Sequence, residues 1–320
     1  MTRAWITVLL LTALLHVPQA AAETRFALIV SGASGGEKYA EQMKQWRATL
    51  QSALVDRYGF DAKDVRVLTD ESVPGGTTGS AANVKSAFSE IRKVATKDDL
   101  LLVVLFGHGT FDGDVAKFNL VGPDMTAAEW NQLLAGLPAR LAFVNTTEAS
   151  FPFLDTLKAK GRVVITATNS AAQKYATVFP EYFVKALSEA STDLDKNGRT
   201  SVLEVFEAVS LAVKQHYEQR GQLSTERALI DDNGDGQGRE QGAEGADGGF
   251  ARLWSLDAEP AAVAGNPELA ALIRQQRSLE ARAEELKLQK GDMPPAEWQA
   301  AYETLMLELA RVSQEIRRKS

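Results

Sequence analysis

Two stretches of the chain carry residues whose type and spacing suit chemistry. The first is LLVVLFGHGTFDG (101–113), an apolar run that ends on His108, one of three histidines in the chain, set between Gly107 and Gly109. Flanking glycines permit a close backbone approach, and a side chain just past a buried strand sits where parallel sheets meet their ligands. An imidazole there can give or take a proton near neutral pH, provided a nucleophile and an orienting acid stand beside it. The chain has no cysteine. The candidates are therefore hydroxyls: Thr147 and Ser150 in VNTTEAS (144–150), and Ser170 beyond the next strand. The nearby acids are Asp112 and Asp114. The same hydroxyls also suit plain turn chemistry, bonding to neighbouring backbone.

The second stretch is TDLDKNGRTSVLEVF (192–206). It places Asp193, Asp195 and Asn197 at loop positions 1, 3 and 5, Gly198 at 6, Arg199 at 7 through its carbonyl, Ser201 at 9 and Glu204 at 12. This is the pattern of an EF-hand loop, in which short acidic side chains fold round a hard cation that takes six to eight oxygen ligands. Calcium is the expected ion. A solvated turn with Ser201 capping the next helix is the alternative. DDNGDGQG (231–238) repeats the first half of the pattern through Asp231, Asn233 and Asp235, but its position 12 is Gly242.

The elements that must position these groups follow from periodicity. FALIVSG (26–32), DVRVLTD (64–70), LLLVVLF (100–106), RLAFVN (140–145) and RVVITAT (162–168) read as buried strands. Between the first two, Tyr39, Met43, Trp46, Leu50 and Leu54 give one apolar helical face. Strands alternating with helices predict an α/β fold, a mostly parallel sheet with helices on both faces, and ligands beyond the C-terminal strand ends. Gly32, His108, Thr146 and Asn169 all fall at such ends. QGREQGAEGADGG, up to Gly249, reads as a mobile polar loop, and Phe250 to Leu256 as a final strand.

The order of these features resembles the legumain and caspase-like cysteine peptidases, particularly the bacterial legumain-like (C13-type) proteins. The shared pattern is ALIVSG, VVLFGHG, LAFVNTTEAS and RVVITAT, spanning about Arg25 to Leu256. The resemblance implies a catalytic histidine at His108, an oxyanion-hole donor at Gly109 and the nucleophile at Thr147, where the family has cysteine, with Asn145 and Thr146 before it. It offers no basic specificity residue in EKYAEQM, which has Ala40 and Glu41 there. A threonine hydroxyl is far less acidic than a thiol. The expectation is therefore a homologue that is inactive or repurposed to hold a protein or peptide ligand in the strand-end groove. The alternative is a hydrolase using Thr147 or Ser150 with His108.

The remaining sequence bounds the setting. MTRAWITVLLLTALLHVPQAAA (1–22) has the layout of an export signal with cleavage after Ala22, which predicts a periplasmic or secreted protein. Its apolar run is too short to span a bilayer, and no stable membrane span is expected. A net charge of -7 gives no basic footprint for nucleic acid. After a linker at 257–265, Leu269, Leu272, Gln276, Leu279, Ala283 and Leu286 form one helical stripe, and Trp298, Tyr302, Leu305, Leu309, Val312 and Ile316 form another. The breaker KGDMPP joins them. An antiparallel helical hairpin over 266–320 is predicted, with a helical partner as its possible ligand.

Overall fold

The computed structural model describes residues 23–70, 77–259, 263 and 265–319. The export-signal reading, residues 1–22, lies outside them, as do parts of the loop after Asp70 and of the linker.

Among the described residues the central sheet has seven strands: β1 (Arg25–Ser31), β2 (Val65–Thr69), β3 (Thr77–Thr78), β4 (Leu100–Phe106), β8 (Arg140–Asn145), β9 (Arg162–Thr166) and β10 (Leu229–Asp231). Their order is β10-β9-β8-β4-β1-β2-β3, and every pairing is parallel except β10 against β9. The strand period of two explains why β4 is apolar throughout. Leu100, Leu102, Val104 and Phe106 enter one core, while Leu101, Val103 and Leu105 enter the other. The first core lies under α1 (Glu37–Ser52), α5 (Phe179–Ser188), α6 (Val202–Gln219) and α7 (Gly249–Leu253). The second lies under α2 (Ala81–Val94), α3 (Ala127–Leu134) and α4 (Phe151–Leu157). This is the expected α/β architecture, with helices on both faces.

A small antiparallel sheet, β5 (Gly109–Phe111), β6 (Ala116–Phe118) and β7 (Met125–Thr126), follows directly after His108. Phe118 packs edge-on against the fully buried Trp130, which also meets Phe88 and Phe143. That aromatic cluster ties the small sheet to the second core and so fixes the β4–β5 junction that carries His108.

Two expectations are corrected. Residues 250–256 form no strand: Gly249–Leu253 is a helical turn, and only Ser255 bridges another segment, at Ser201. The turn forms because Asp232 accepts N–H groups from Gly248 and Ala251 at 2.9 Å each, capping α7 from sixteen residues upstream. The polar stretch before it is not an open loop either. Arg239 exchanges backbone hydrogen bonds with Ile230, and its guanidinium donates to the Asp247 carbonyl at 2.9 Å and pairs with Glu207 at 3.1 Å.

The hairpin is present as α8 (Pro267–Leu288) and α9 (Pro295–Lys319), with Asn266 capping the first. Leu279, Ala283, Leu305 and Val312 form its buried seam. None of the described helices is long and apolar enough to cross a membrane.

Candidate functional site

The C-terminal ends of β1, β4 and β8 bring the first group of candidate residues together. His108 follows β4 by two residues. Its Nδ1 lies 3.2 Å from Oε1 of Glu148, and its Nε2 lies 3.2 Å from the carbonyl oxygen of Ser34, in the loop after β1. Tyr39 of α1 closes the third side, edge-on at 4.7 Å. The hydrogen bond to Glu148 raises the His108 pKa above its ordinary value, against the opposing effect of burial. A carboxylate and a carbonyl both accept, so the two contacts favour the ring form with hydrogen on both nitrogens.

Neither hydroxyl candidate reaches this ring by a hydrogen bond. Thr147 is buried, and its Oγ1 donates to Oδ1 of Asn145 at 2.9 Å, which also accepts the Thr147 N–H at 3.1 Å. Ser150 is fully buried and shares a 3.0 Å hydrogen bond with Thr168 Oγ1, tying α4 to the end of β9. Ser170 accepts the Ala172 N–H in an exposed turn. The acids named beside His108 are elsewhere too, since Asp112 accepts from the N–H groups of Asp114 and Val115 in the tip of the β5–β6 hairpin.

The side chain beside His108 is thus that of Glu148, one residue beyond Thr147. Asn145 terminates β8, and its side chain captures Thr147 in an Asx turn. The next residue, Glu148, is the one turned to the imidazole. Gly109 is explained by the same turn, because a Cβ there would lie 2.7 Å from Thr147 Oγ1 and 3.0 Å from Ala149 Cβ.

A charged pair lies under the same strand ends, on the α1 face. Arg47 is 7% exposed, donates to Ser31 Oγ at 3.1 Å and stands 3.6 Å from Asp70. It sits two turns beyond the positions the resemblance pointed to, on the buried stripe with Met43 and Leu50. A cation inside an apolar helical stripe was the signal for it.

The EF-hand-like segment lies between α5 and α6. Single oxygens of Asp193, Asp195 and Glu204 lie within 4.8 Å of one another. Asp193 accepts from the N–H groups of Asn197 and Gly198, Asn197 accepts from Arg199, and Ser201 and Glu204 form a reciprocal capping box at the start of α6. The Arg199 guanidinium turns away to Ser255, consistent with a role through its carbonyl alone. The donors are all oxygens and fit a hard cation, with one qualification of geometry. Both Glu204 oxygens already accept hydrogen bonds, from Leu194, Asp195 and Ser201, which an ion would displace.

The second acidic loop is a different object. Asp231 accepts from Gly234 and Gly236, and Asp247 accepts from Asp232 and Asn233. Burial raises all three carboxyls above their ordinary range, Asp247 to about 6. They serve as acceptors for backbone N–H groups, and Asp247 stands where the sequence offered only Gly242.

No protein-family model matches the chain. Over 63 residues, 19% of the chain, it is 43% identical to metacaspase-7 of Arabidopsis thaliana, and the match spans 15% of that relative's length. Among solved structures, a secreted C11 cysteine protease of Bacteroides thetaiotaomicron, iotapain, is similar at a TM-score of 0.33 with 10% identity, 65% of each chain being covered.

Proposed function

We propose that this chain is an exported, caspase-like peptidase homologue that holds a protein or peptide in its strand-end cleft without cleaving it. The local identity to a metacaspase supports the caspase-like relationship, and the placement of His108 and Gly109 after β4 and of the NTTE turn after β8 supports it from the chain's own geometry. The observation that carries the reading is the 3.2 Å contact of His108 with Glu148. A general base must turn a ring nitrogen to its nucleophile, and both nitrogens of His108 face acceptors, the Glu148 carboxylate and the Ser34 carbonyl, while the Thr147 and Ser150 hydroxyls bond elsewhere. The hydrolase reading through Thr147 or Ser150 lacks that hydrogen bond on both counts.

Calcium at Asp193, Asp195, Asn197, Arg199, Ser201 and Glu204 belongs to the same proposal as a structural ion. It would bridge the α5–α6 connection and neutralise three clustered carboxylates. The export reading rests on the layout of residues 1–22, with Arg3, the apolar run and the Ala20–Ala22 pattern.

The test is a peptide-library and fluorophosphonate screen of the chain starting at Glu23. Retention of peptides without turnover, unchanged in His108→Ala, is expected. Labelling that disappears in Thr147→Ala or Ser150→Ala would overturn the reading in favour of a hydrolase.

A further inference from the structure

Helix α8 has two working faces. One, through Leu272, Leu279, Ala283 and Leu286, packs on α9. The other presents Arg277, Ala281, Glu284 and Leu288 at spacings of four, three and four, so these residues share one stripe. Ala281 and Leu288 touch the first core of the sheet, and Arg277 and Glu284 make ion pairs across the same contact.

The charged part converges on Glu23. Its carboxylate accepts from Arg140, at the start of β8, at 2.8 Å and from Arg277, in the middle of α8, at 3.0 Å. The second guanidinium nitrogen of Arg277 stands 2.6 Å from Glu259 in the linker. These side chains are between 15% and 24% exposed, so the network is shielded from solvent without being sealed. Glu23 itself is fixed by its neighbour. The Thr24 N–H donates to buried Asp99 at 2.7 Å, and its carbonyl accepts from Leu100 at 3.0 Å. Beside the network a cleft of about 600 Å³ separates the hairpin from the sheet, lined by Lys97, Asp98, Trp254, Arg274 and Ser278 among others. Across this cleft the ion pairs at Glu23 stand beside a limited apolar contact through Ala281 and Leu288.

We infer that the hairpin is a detachable arm and that Glu23, the residue leading into β1, is the latch that docks it. The seam between α8 and α9 keeps the arm folded when the latch opens, because its apolar contacts lie within the hairpin. Arg252 and Glu284, at 2.8 Å, form a second, outer contact, but Arg252 is 57% exposed and solvent screening makes it weak. Glu23 instead joins two guanidinium groups: neutralising it breaks the ion pair from Arg140 and the one from Arg277 to the sheet, and leaves Arg277 with Glu259 of the linker alone. Docking is therefore set at the N-terminal edge of the sheet, at the opposite strand ends from His108, and is independent of what the cleft at His108 binds.

The absence of cysteine allows a direct test with spin labels at Lys93→Cys on α2 and Gln314→Cys on α9 in the full chain. The parent should give one narrow distance. Glu23→Gln and, from the other side of the contact, Arg277→Gln should each add a longer, broad population, shifting the docking equilibrium by on the order of tenfold. Arg252→Ala should leave the narrow distance unchanged. A single unaltered distance in both latch variants, or release by Arg252→Ala equal to theirs, would overturn the inference.

Discussion

Substitution of Gly109 by alanine separates the account of the strand-end turn from its alternatives. The added Cβ would stand 2.7 Å from Thr147 Oγ1, 3.0 Å from Ala149 Cβ and 3.2 Å from the Lys117 carbonyl oxygen. The first of these atoms cannot swing away cheaply, because Thr147 is buried and its hydroxyl is held by Asn145 at 2.9 Å. Overpacking of this kind costs about 1–3 kcal/mol. At roughly 2–4 °C per kcal/mol for a unit of this size, the melting temperature should fall by about 2–12 °C. Thr147→Ala removes the nearest atom and leaves the Ala149 contact, so the double variant should recover part of the loss. Its coupling should lie on the order of 0.5–3 kcal/mol, as for residues in contact. The assay is denaturant unfolding of the four proteins of the cycle at one pH. A neutral Gly109→Ala, or a double variant whose losses simply add, would refute the placement of the Thr147 side chain against Gly109.

Three further outcomes follow from the same geometry. The Glu148 pairing raises the His108 pKa, so its stabilisation is complete below the ordinary histidine value and fades as pH rises through the folded value; NMR titration should show His108 titrating lower in Glu148→Gln. Asp247 carries the same sign at lower pH: its carboxyl is raised to about 6, so the folded state binds the proton more tightly and stability declines as pH rises from about 4 to 6; Asp247→Asn, which keeps an oxygen for the N–H groups of Asp232 and Asn233, should flatten that decline in chemical unfolding curves. Calcium at about one hundred times its dissociation constant should stabilise the chain by about 2.7 kcal/mol in thermal unfolding, chelator should reverse the shift, and Asp195→Asn should abolish it; no calcium response in the parent would reject the ion.

Much of the scaffold is legible because buried parallel strands announce themselves. Leu100–Phe106 and Arg140–Asn145 coincide with apolar runs that end at a polar residue, where the sheet gives way to loops. What escaped the sequence depends on distant partners. The turn at Gly249–Leu253 shows the same apolar residues as a strand and becomes helical through Asp232. The small sheet after His108 has strands of two or three residues, too short for a period to register. His108 was visible as a site residue because its position is set by one strand. Its partner was not, because the choice between Thr147 and Glu148 turns on a single Asx turn at Asn145, and sequence spacing does not resolve which of two adjacent side chains faces a neighbour on the next strand. Arg47 was missed for a related reason, since a long side chain lets its contact lie well away from its own place on the helix.

The central claim, that the residue facing the His108 imidazole is Glu148, can be read from the reactivity of an introduced thiol. The chain has no cysteine of its own, so Glu148→Cys and Thr147→Cys each carry a single thiol, and their alkylation by iodoacetamide can be followed by mass spectrometry across pH. A thiol beside an imidazole ionises well below its free value of about 8.5. The account predicts fast, low-pH alkylation of Glu148→Cys that is lost when His108→Ala is added, with Thr147→Cys protected by burial. Rapid His108-dependent alkylation of Thr147→Cys, with Glu148→Cys behaving as an ordinary thiol, would contradict it.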